Sequence, residues 1–254
     1  MTLNNFVVDR IVRAVGKSKD DEVLFAINQV TNASLNVTSE TAEAVDALGT
    51  PIAIFNRAKT AEFSAENALF DLGLMATQAG SKKITGAAVV PAFDVVSKNE
   101  EGAYELKHTP VGDVKFYLLN GDGSLGAEQT LTADGGDDGK IMLTGTIVTN
   151  IPKDEKDKDL QVMAVYEYNA ENAVAVINSA TEFPKACELV LEVLGCDVCN
   201  QEELIYAYLI FPNFKISPDF DWSIATDGAH PFSGTAMQNY CDAKKELYKL
   251  IIVE

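Results

Sequence analysis

One segment of this chain combines a strand pattern with a helix pattern, while most of the remaining chain has strand patterns only. Residues 52–81 read IAIFNRAKTAEFSAENALFDLGLMATQAGS. From Ile52 to Phe63, apolar residues are mixed with charged ones, and the threonine and aromatic side chains suit a half-buried strand. After Ser64, apolar residues recur at three- and four-residue steps, which predicts an amphipathic helix. A chain with a single such helix must bury most of its core between strands.

Local signals set the expected ends of this helix. Ser64 stands where an N-cap hydroxyl would bond the free backbone N–H groups, and Glu66 follows where the helix dipole favours an anion. Gly80 can supply the left-handed residue that ends a helix. The predicted apolar stripe consists of Ala65, Ala68, Leu69, Leu72, Ala76 and Ala79. We interpret this segment as a core helix that covers a sheet, because nothing on it titrates usefully.

Short strand patterns separated by turn signals fill the rest of the chain. Pro91 predicts an edge or bulged strand around it, because proline cannot donate to a strand ladder. The expected strands are Asn5–Val15 (a strand or an extended arm), Glu22–Val30, Ala33–Thr38, Ile84–Val96, Val114–Leu119, Ile141–Val148, Gln161–Tyr168, Glu188–Val193, Ile205–Phe211 and Leu247–Val253. This order predicts a mainly β (α+β) fold, an antiparallel β-sandwich or barrel flanked by one amphipathic helix.

The length of 254 residues suits one large β domain or two small ones. We expect residues 1–97 and 180–254 to form a β-rich core. Residues 98–179 are rich in turns, and we expect them to form an inserted β-rich lobe or long loops of the same domain.

The charge balance limits the classes of partner. The chain has 38 acidic and 20 basic residues and a formal net charge of −18, which repels nucleic-acid phosphates and argues against direct DNA or RNA recognition. The longest apolar runs fall far below the roughly 18 residues of a membrane helix, and residues 1–13 lack the pattern of a signal peptide. We therefore expect a protein that is made in the cytoplasm and has no membrane partner.

Four cysteines raise the question of a metal or redox site. Cys196 and Cys199 form a CxxC pair, and with Cys187 and Cys241 they could supply four thiolates to zinc. One CxxC with two scattered cysteines lacks the regular spacing of a zinc motif. The sequence leaves zinc and redox roles open, and it favours ordinary buried or turn cysteines.

No other motif identifies catalytic chemistry. Asn120–Ser124 resembles the middle of an EF-hand loop, but aligning Asp122 to its fifth position places Leu118 and Gln129 where carboxylates are needed. A hairpin turn explains this segment better, and a flexible acidic loop explains Asp134–Gly139.

The chain has two histidines, His108 and His230, and neither lies in a recognisable nucleophile or metal-ligand motif. We therefore predict no catalytic, cofactor-binding or metal-binding residues, and no enzymatic activity.

Three segments together resemble the major tail, or tail tube, proteins of long-tailed bacteriophages. They are EVLFAINQVTNASLNV, FNRAKTAEFSAENALFDLGLMATQAGS and FPNFKISPDFDWSIATDGAHPFSGTA. The resemblance implies a virion structural protein whose subunits form hexameric rings that stack into a hollow tube for genome passage. It also implies other tail proteins, such as a tape measure protein, as partners, and the virion tail as the location.

Physical features of the chain agree with that expectation. An excess of carboxylates would let DNA pass without binding. A strand edge at Leu247–Val253 and a polar loop at Lys153–Asp159 are features that stacking subunits could use. The sequence also leaves open a head decoration or head-to-tail connector protein, and a monomeric β-sandwich binding module.

Overall fold

A computed structural model describes residues 5–132, 140–156, 158–240 and 245–253. Strands dominate these residues, so the prediction of a mainly β fold is confirmed. In the described part of the chain, no helix is long and apolar enough to cross a membrane. The elements are β1 Phe6–Lys17, β2 Val23–Ile27, β3 Val30–Val45, β4 Pro51–Asn67, α1 Leu72–Ala79, β5 Ile84–Val95, β6 Ser97–Lys98, β7 Tyr104–Glu105, β8 Pro110–Leu119, β9 Leu125–Gln129, β10 Leu131–Thr132, β11 Ile141–Thr144, β12 Ile147–Thr149, β13 Val162–Ala175, β14 Ala186–Asp197, β15 Asn200–Ile216, β16 His230–Ala236 and β17 Lys249–Val253.

The chain divides into two compact units. Unit 1 comprises residues 1–84 and 175–254, and unit 2 comprises residues 85–174. The expectation that residues 98–179 form an inserted lobe stays a prediction.

Unit 1 is built on one eight-stranded sheet. Its strand order is β2-β1-β14-β15-β16-β4-β3, and β17 pairs with β15 off this path. The sheet curls around its own core, because Phe25 on edge strand β2 contacts Phe232 on β16 with ring centroids 6.4 Å apart. Phe63, Phe211 and Phe214 complete the aromatic centre of this core. The described strands form no closed barrel, so the sheet keeps open edges.

Strand β4 extends into the segment where the sequence predicted the first turn of the helix. Residues 61–67 pair with β16 on one side and with β3 on the other. Ala61, Phe63 and Ala65 are buried, while Glu62 and Ser64 are exposed, which is the two-residue period of a strand. The prediction of Ser64 as the N-cap is therefore wrong. Backbone hydrogen bonds to two neighbouring strands outweigh a local capping signal.

The helix is correspondingly short. It begins after Asp71, whose carboxylate accepts a hydrogen bond from the backbone N–H of Leu74 at 2.7 Å. It ends at Gly80, which has a φ of 70°, so the predicted C-terminal end is confirmed. The predicted stripe residues Ala65, Ala68 and Leu69 lie outside the helix.

Unit 2 is a sandwich of two sheets over a shared core. The four-stranded sheet has the order β5-β13-β8-β9, and the five-stranded sheet has the order β10-β11-β12-β7-β6. Phe116 on β8 and Ile141 on β11 are fully buried in the same cluster. The strand that contains Pro91 is β5, which lies at a sheet edge as its proline predicted.

A buried carboxylate connects three segments of unit 2. Asp94 on β5 accepts hydrogen bonds from the Tyr166 hydroxyl and from the backbone N–H of Lys107, the latter at 2.9 Å. The backbone N–H of His108 donates to the Tyr166 oxygen at 3.1 Å. Burial opposes the charge of Asp94, but the bonds from Tyr166 and Lys107 outweigh it and lower the pKa of Asp94. Burial and the bond to Asp94 raise the pKa of Tyr166 to about 12.

The C-terminal end of α1 yields a stability prediction. A Cβ at position 80 would lie 2.4 Å from the backbone carbonyl carbon of Phe183. The substituted residue would also have to keep the positive φ of Gly80. Gly80→Ala should therefore lower the free energy of unfolding by more than about 2 kcal/mol. Gly49→Ala is the matched control, because Gly49 has a similar φ of 84° and open space around its Cβ position, so the loss there should be about 1 kcal/mol. Equal losses in urea unfolding would contradict the packing argument.

The Asp94 network yields a prediction with a defined pH range. Tyr166→Phe removes a hydrogen bond to a buried carboxylate and should lower the free energy of unfolding by about 1–3 kcal/mol at pH 7. Because the folded-state pKa of Asp94 is lowered, its stabilisation is present above about pH 4 and is lost as pH falls further. The difference between the two proteins in urea unfolding should therefore shrink at pH 3. Tyr117→Phe, outside the network, is the control, and a loss that is the same at both pH values would refute this explanation.

Candidate assembly surfaces

The three described cysteines do not form a metal-binding group. Cys187 is buried in the core of unit 1, and its burial, with a further contribution from Glu188, raises the pKa of its thiol to about 11. Cys196 is half-buried and Cys199 is exposed, at the turn that joins β14 to β15. Cys241 lies outside the described residues. Among the described residues, no group of three or more His, Cys, Asp and Glu side chains could hold a metal ion.

The Asn120–Ser124 segment forms the turn between β8 and β9, as the hairpin interpretation predicted. The Asp122 carboxylate accepts hydrogen bonds from the hydroxyl of Ser124 at 2.6 Å and from its backbone N–H at 3.0 Å. Both hydrogen bonds lower the pKa of Asp122, and the bond from the Ser124 hydroxyl has the larger effect. The carboxylate therefore closes its own turn. The acidic segment Asp134–Gly139 lies outside the described residues.

Hydrogen bonds within the loop and to Tyr104 hold the charged Lys153–Asp159 loop. Asp157 of this loop lies outside the described residues. The Asp154 carboxylate accepts from the backbone N–H groups of Lys156 and Lys158, both at 2.8 Å. The Asp159 carboxylate accepts from the Tyr104 hydroxyl at 2.8 Å. This loop is an ordered surface feature of unit 2.

The two histidines have different environments. His108 is exposed and its ring stacks on Tyr168 with centroids 3.9 Å apart. His230 is fully buried in unit 1. Its Nδ1 accepts from the backbone N–H of Asp71 at 3.3 Å, so its proton lies on Nε2, which donates to Gln78 Oε1 at 2.8 Å. His230 thus ties α1 to β16, and its role is structural.

A polar surface covers the outer side of β3, β4 and β16. Thr38 lies opposite Thr60, Asn36 opposite Glu62, and Ser34 opposite Ser64 on one side of the pleat. On β16, Ser233 and Thr235 continue these rows. We define the hydroxyl face as Ser34, Asn36, Thr38, Thr60, Glu62, Ser64, Ser233 and Thr235. It contains one carboxylate and no lysine or arginine, while the opposite side of the same strands buries the core.

Beyond the end of β16, β3 and β4 continue as a two-stranded ribbon. β16 pairs with β4 only as far as Ala61, whereas β3 and β4 stay paired to Val45 and Pro51. We call residues 40–56 the arm. Several large apolar side chains of the arm are exposed, and Leu48 at the tip is 92% exposed. An isolated two-stranded hairpin is only marginally stable in water. Exposed apolar patches of this kind are typical of surfaces that contact another molecule.

The last strand provides an open edge. β17 pairs with β15 along one side, from Val253 opposite Tyr206 to Lys249 opposite Ile210. This confirms the strand predicted at Leu247–Val253, over Lys249–Val253. In the described chain the other edge of β17 has no strand partner. Exposed Leu250, Ile251 and Val253 make it an apolar edge, of the kind that pairs with a further strand.

Comparison with known families places the chain in a class of protein. The sequence matches the YomU/Tube protein family over residues 6–248. The chain therefore belongs to this family of phage tail tube proteins, as its resemblance predicted. Membership implies a structural, non-enzymatic subunit of the virion tail that assembles with other tail proteins. A search of the curated proteins found no match.

Sequence reasoning missed the hydroxyl face and the arm as surfaces. The alternation of Ser34, Asn36 and Thr38 was visible, but its continuation across β4 and β16 depends on strand pairing. The arm could not be predicted from the sequence, because a turn signal at residues 46–51 does not show where the neighbouring strand β16 ends. A run of alternating small polar residues on two adjacent strands is the signal that could have found the hydroxyl face.

The burial of His230 predicts a pH dependence of stability. Burial lowers the pKa of His230, and the charge of Asp71 only partly opposes this effect. As pH falls below about 6.5, the unfolded chain takes up the proton first, so the free energy of unfolding should fall by up to about 1.4 kcal/mol per pH unit. In His230→Gln, the contribution of His230 to the fall of the free energy of unfolding between pH 7 and pH 5 should disappear. Urea unfolding at the two pH values measures it.

His108→Gln is the control for this measurement, because it removes a histidine and leaves His230 in place. It should keep the slope of the natural protein. An unchanged slope in His230→Gln would show that the buried imidazole does not link folding to protons.

Proposed function

We propose that copies of this chain form rings, most simply hexamers, which stack into a hollow tube through which double-stranded DNA passes without specific binding. Membership of the tube family is the observation that carries this proposal. The assembled tube lies in the virion tail, its subunits are made in the cytoplasm of the bacterial host, and a tape measure protein is among its partners. We further propose that residues 98–179 form a lobe inserted into the tube-like core.

Open sheet edges support assembly of this kind. Unit 1 ends its strand order in β2 and β3, and β17 adds a further edge. Such edges pair readily with strands of another molecule. When different edges of identical subunits meet, the contact is heterologous and generates a ring or a continuous stack.

The hydroxyl face supports a particular orientation of the subunit. Proteins hold DNA phosphates mainly through lysine and arginine, and the eight residues of this face include neither; Lys215 on β15, opposite Thr235, lies at its border. Its hydroxyl, amide and carboxylate groups stay hydrated and repel phosphate only weakly at each point, which favours sliding over binding. We propose that the hydroxyl face lines the bore of the tube.

Cysteine labelling tests this orientation in the assembled protein. Ser64→Cys is made in a Cys196→Ser, Cys199→Ser, Cys241→Ser background, in which buried Cys187 is the remaining natural thiol. Light scattering and electron microscopy first establish that rings or tubes form as concentration rises. A small maleimide should then label Cys at position 64 in both unassembled and assembled protein, because the bore is open to small solutes. A maleimide carrying a long polymer should label it quickly only before assembly.

Lys19→Cys in the same background is the control, because Lys19 is exposed in the turn between β1 and β2 and lies off the hydroxyl face. It should react with both reagents in both states. Protein that stays monomeric at every concentration would contradict the proposed function. Tubes in which position 64 reacts freely with the long polymer, or with neither reagent, would contradict the proposed orientation.

A further inference from the structure

The arm has a charge as well as an apolar surface. Residues 40–56 contain three acidic residues, Glu40, Glu43 and Asp46, and no basic residue. The Asp46 carboxylate accepts from the backbone N–H groups of Leu48 and Thr50, at 2.9 and 2.8 Å. These bonds close the turn at the tip, where Leu48 is exposed. The arm is therefore an acidic and apolar projection.

A cavity of complementary character lies at the base of the arm. It has a volume of about 580 Å³ and is lined by Lys59, Ala236, Gln238, Lys245, Leu247 and Tyr248. We call it the lysine cavity. Within the described part of the chain, neither of its lysines forms an ion pair, and no acidic side chain lines it. In a chain with a net charge of −18, a lysine-lined recess with an apolar wall is a distinctive acceptor for an acidic, apolar segment.

The arm cannot fill the lysine cavity of its own chain. Lys59 lies at the base of the arm and Pro51 near its tip, eight residues apart along the same strand. At about 3.3 Å per residue, the tip lies about 25 Å from the base. β3 and β4 stay paired from base to tip, with register shifts at residues 39–41 and 44–45, and this pairing holds the tip away from the base. The natural occupant is therefore the arm of another copy.

We propose that the arm of one subunit docks with its tip in the lysine cavity of a second subunit. Leu48 packs against Leu247 and Tyr248, and the Glu43 carboxylate lies near the Lys245 ammonium. The two surfaces differ, so the contact is heterologous and each subunit both donates an arm and accepts one, which extends the assembly. This inference rests on the proposed self-assembly and names the surfaces that perform it.

Charge reversal tests the contact. Glu43→Lys and Lys245→Glu should each raise the protein concentration needed for half-maximal assembly by at least about tenfold, as measured by sedimentation velocity. A chain with both substitutions restores opposite charges across the contact and should assemble within a few-fold of the natural protein. Lys19→Glu, which makes the same change of charge as Lys245→Glu in an exposed turn, should leave assembly unchanged. Circular dichroism of each variant checks that its fold is retained.

The outcomes separate this inference from the proposed function. If the natural protein assembles and both single variants assemble equally well, the docking inference is wrong while the proposed function stands. If the single variants are impaired but the double variant is not restored, the two charges do not meet and the inference is also wrong. If the natural protein never assembles, the proposed function fails, and the docking contact fails with it.

Discussion

The pairing of β4 with both β3 and β16 is the interaction on which the rest of unit 1 depends. Over residues 61–67 the backbone of β4 is hydrogen-bonded on two sides, so the side chains must alternate between the two faces of the sheet. One set, which includes Phe63, enters the aromatic core, and the other, which includes Ser64, forms the hydroxyl face. Because β16 ends opposite Ala61, no third strand of the described residues pairs with the continuing ribbon, which forms the arm. One pattern of strand pairing thus produces the core, the polar surface and the arm.

The helix is secondary to that sheet. Its eight residues are too few to be stable alone, and it is held by Asp71 at its start, by Gly80 at its end and by the link from Gln78 to His230 on β16. Unit 2 uses a comparable device, since the buried Asp94 carboxylate fixes a loop and two strands through Tyr166 and Lys107. In both units a buried polar group with satisfied hydrogen bonds connects segments that are distant in sequence.

Sequence patterns predicted what depends on local chemistry. The edge position of Pro91, the turn at Asn120–Ser124 and the helix end at Gly80 follow from single-segment rules and are confirmed. Most of the alternating strands are confirmed too, but the strand predicted at Ile141–Val148 is two paired strands, β11 and β12, because the chain turns at Gly145, which has a positive φ. The start of the helix was mispredicted because Ser64 satisfies a capping rule and a strand rule equally well. Only the distant partner β16 decides between them. The hydroxyl face and the arm depend on the same long-range pairing, so no window of the sequence contains them.

The central claim is that this tube-family subunit assembles with its hydroxyl face toward an open bore. An electron cryomicroscopy reconstruction of the assembled protein tests it most directly. The account predicts a hollow tube in which Thr60, Ser64 and Thr235 line the channel and no ring of lysine or arginine side chains crosses it. A tube whose channel is lined by other strands, with the hydroxyl face on the outer surface or buried between subunits, would contradict the account.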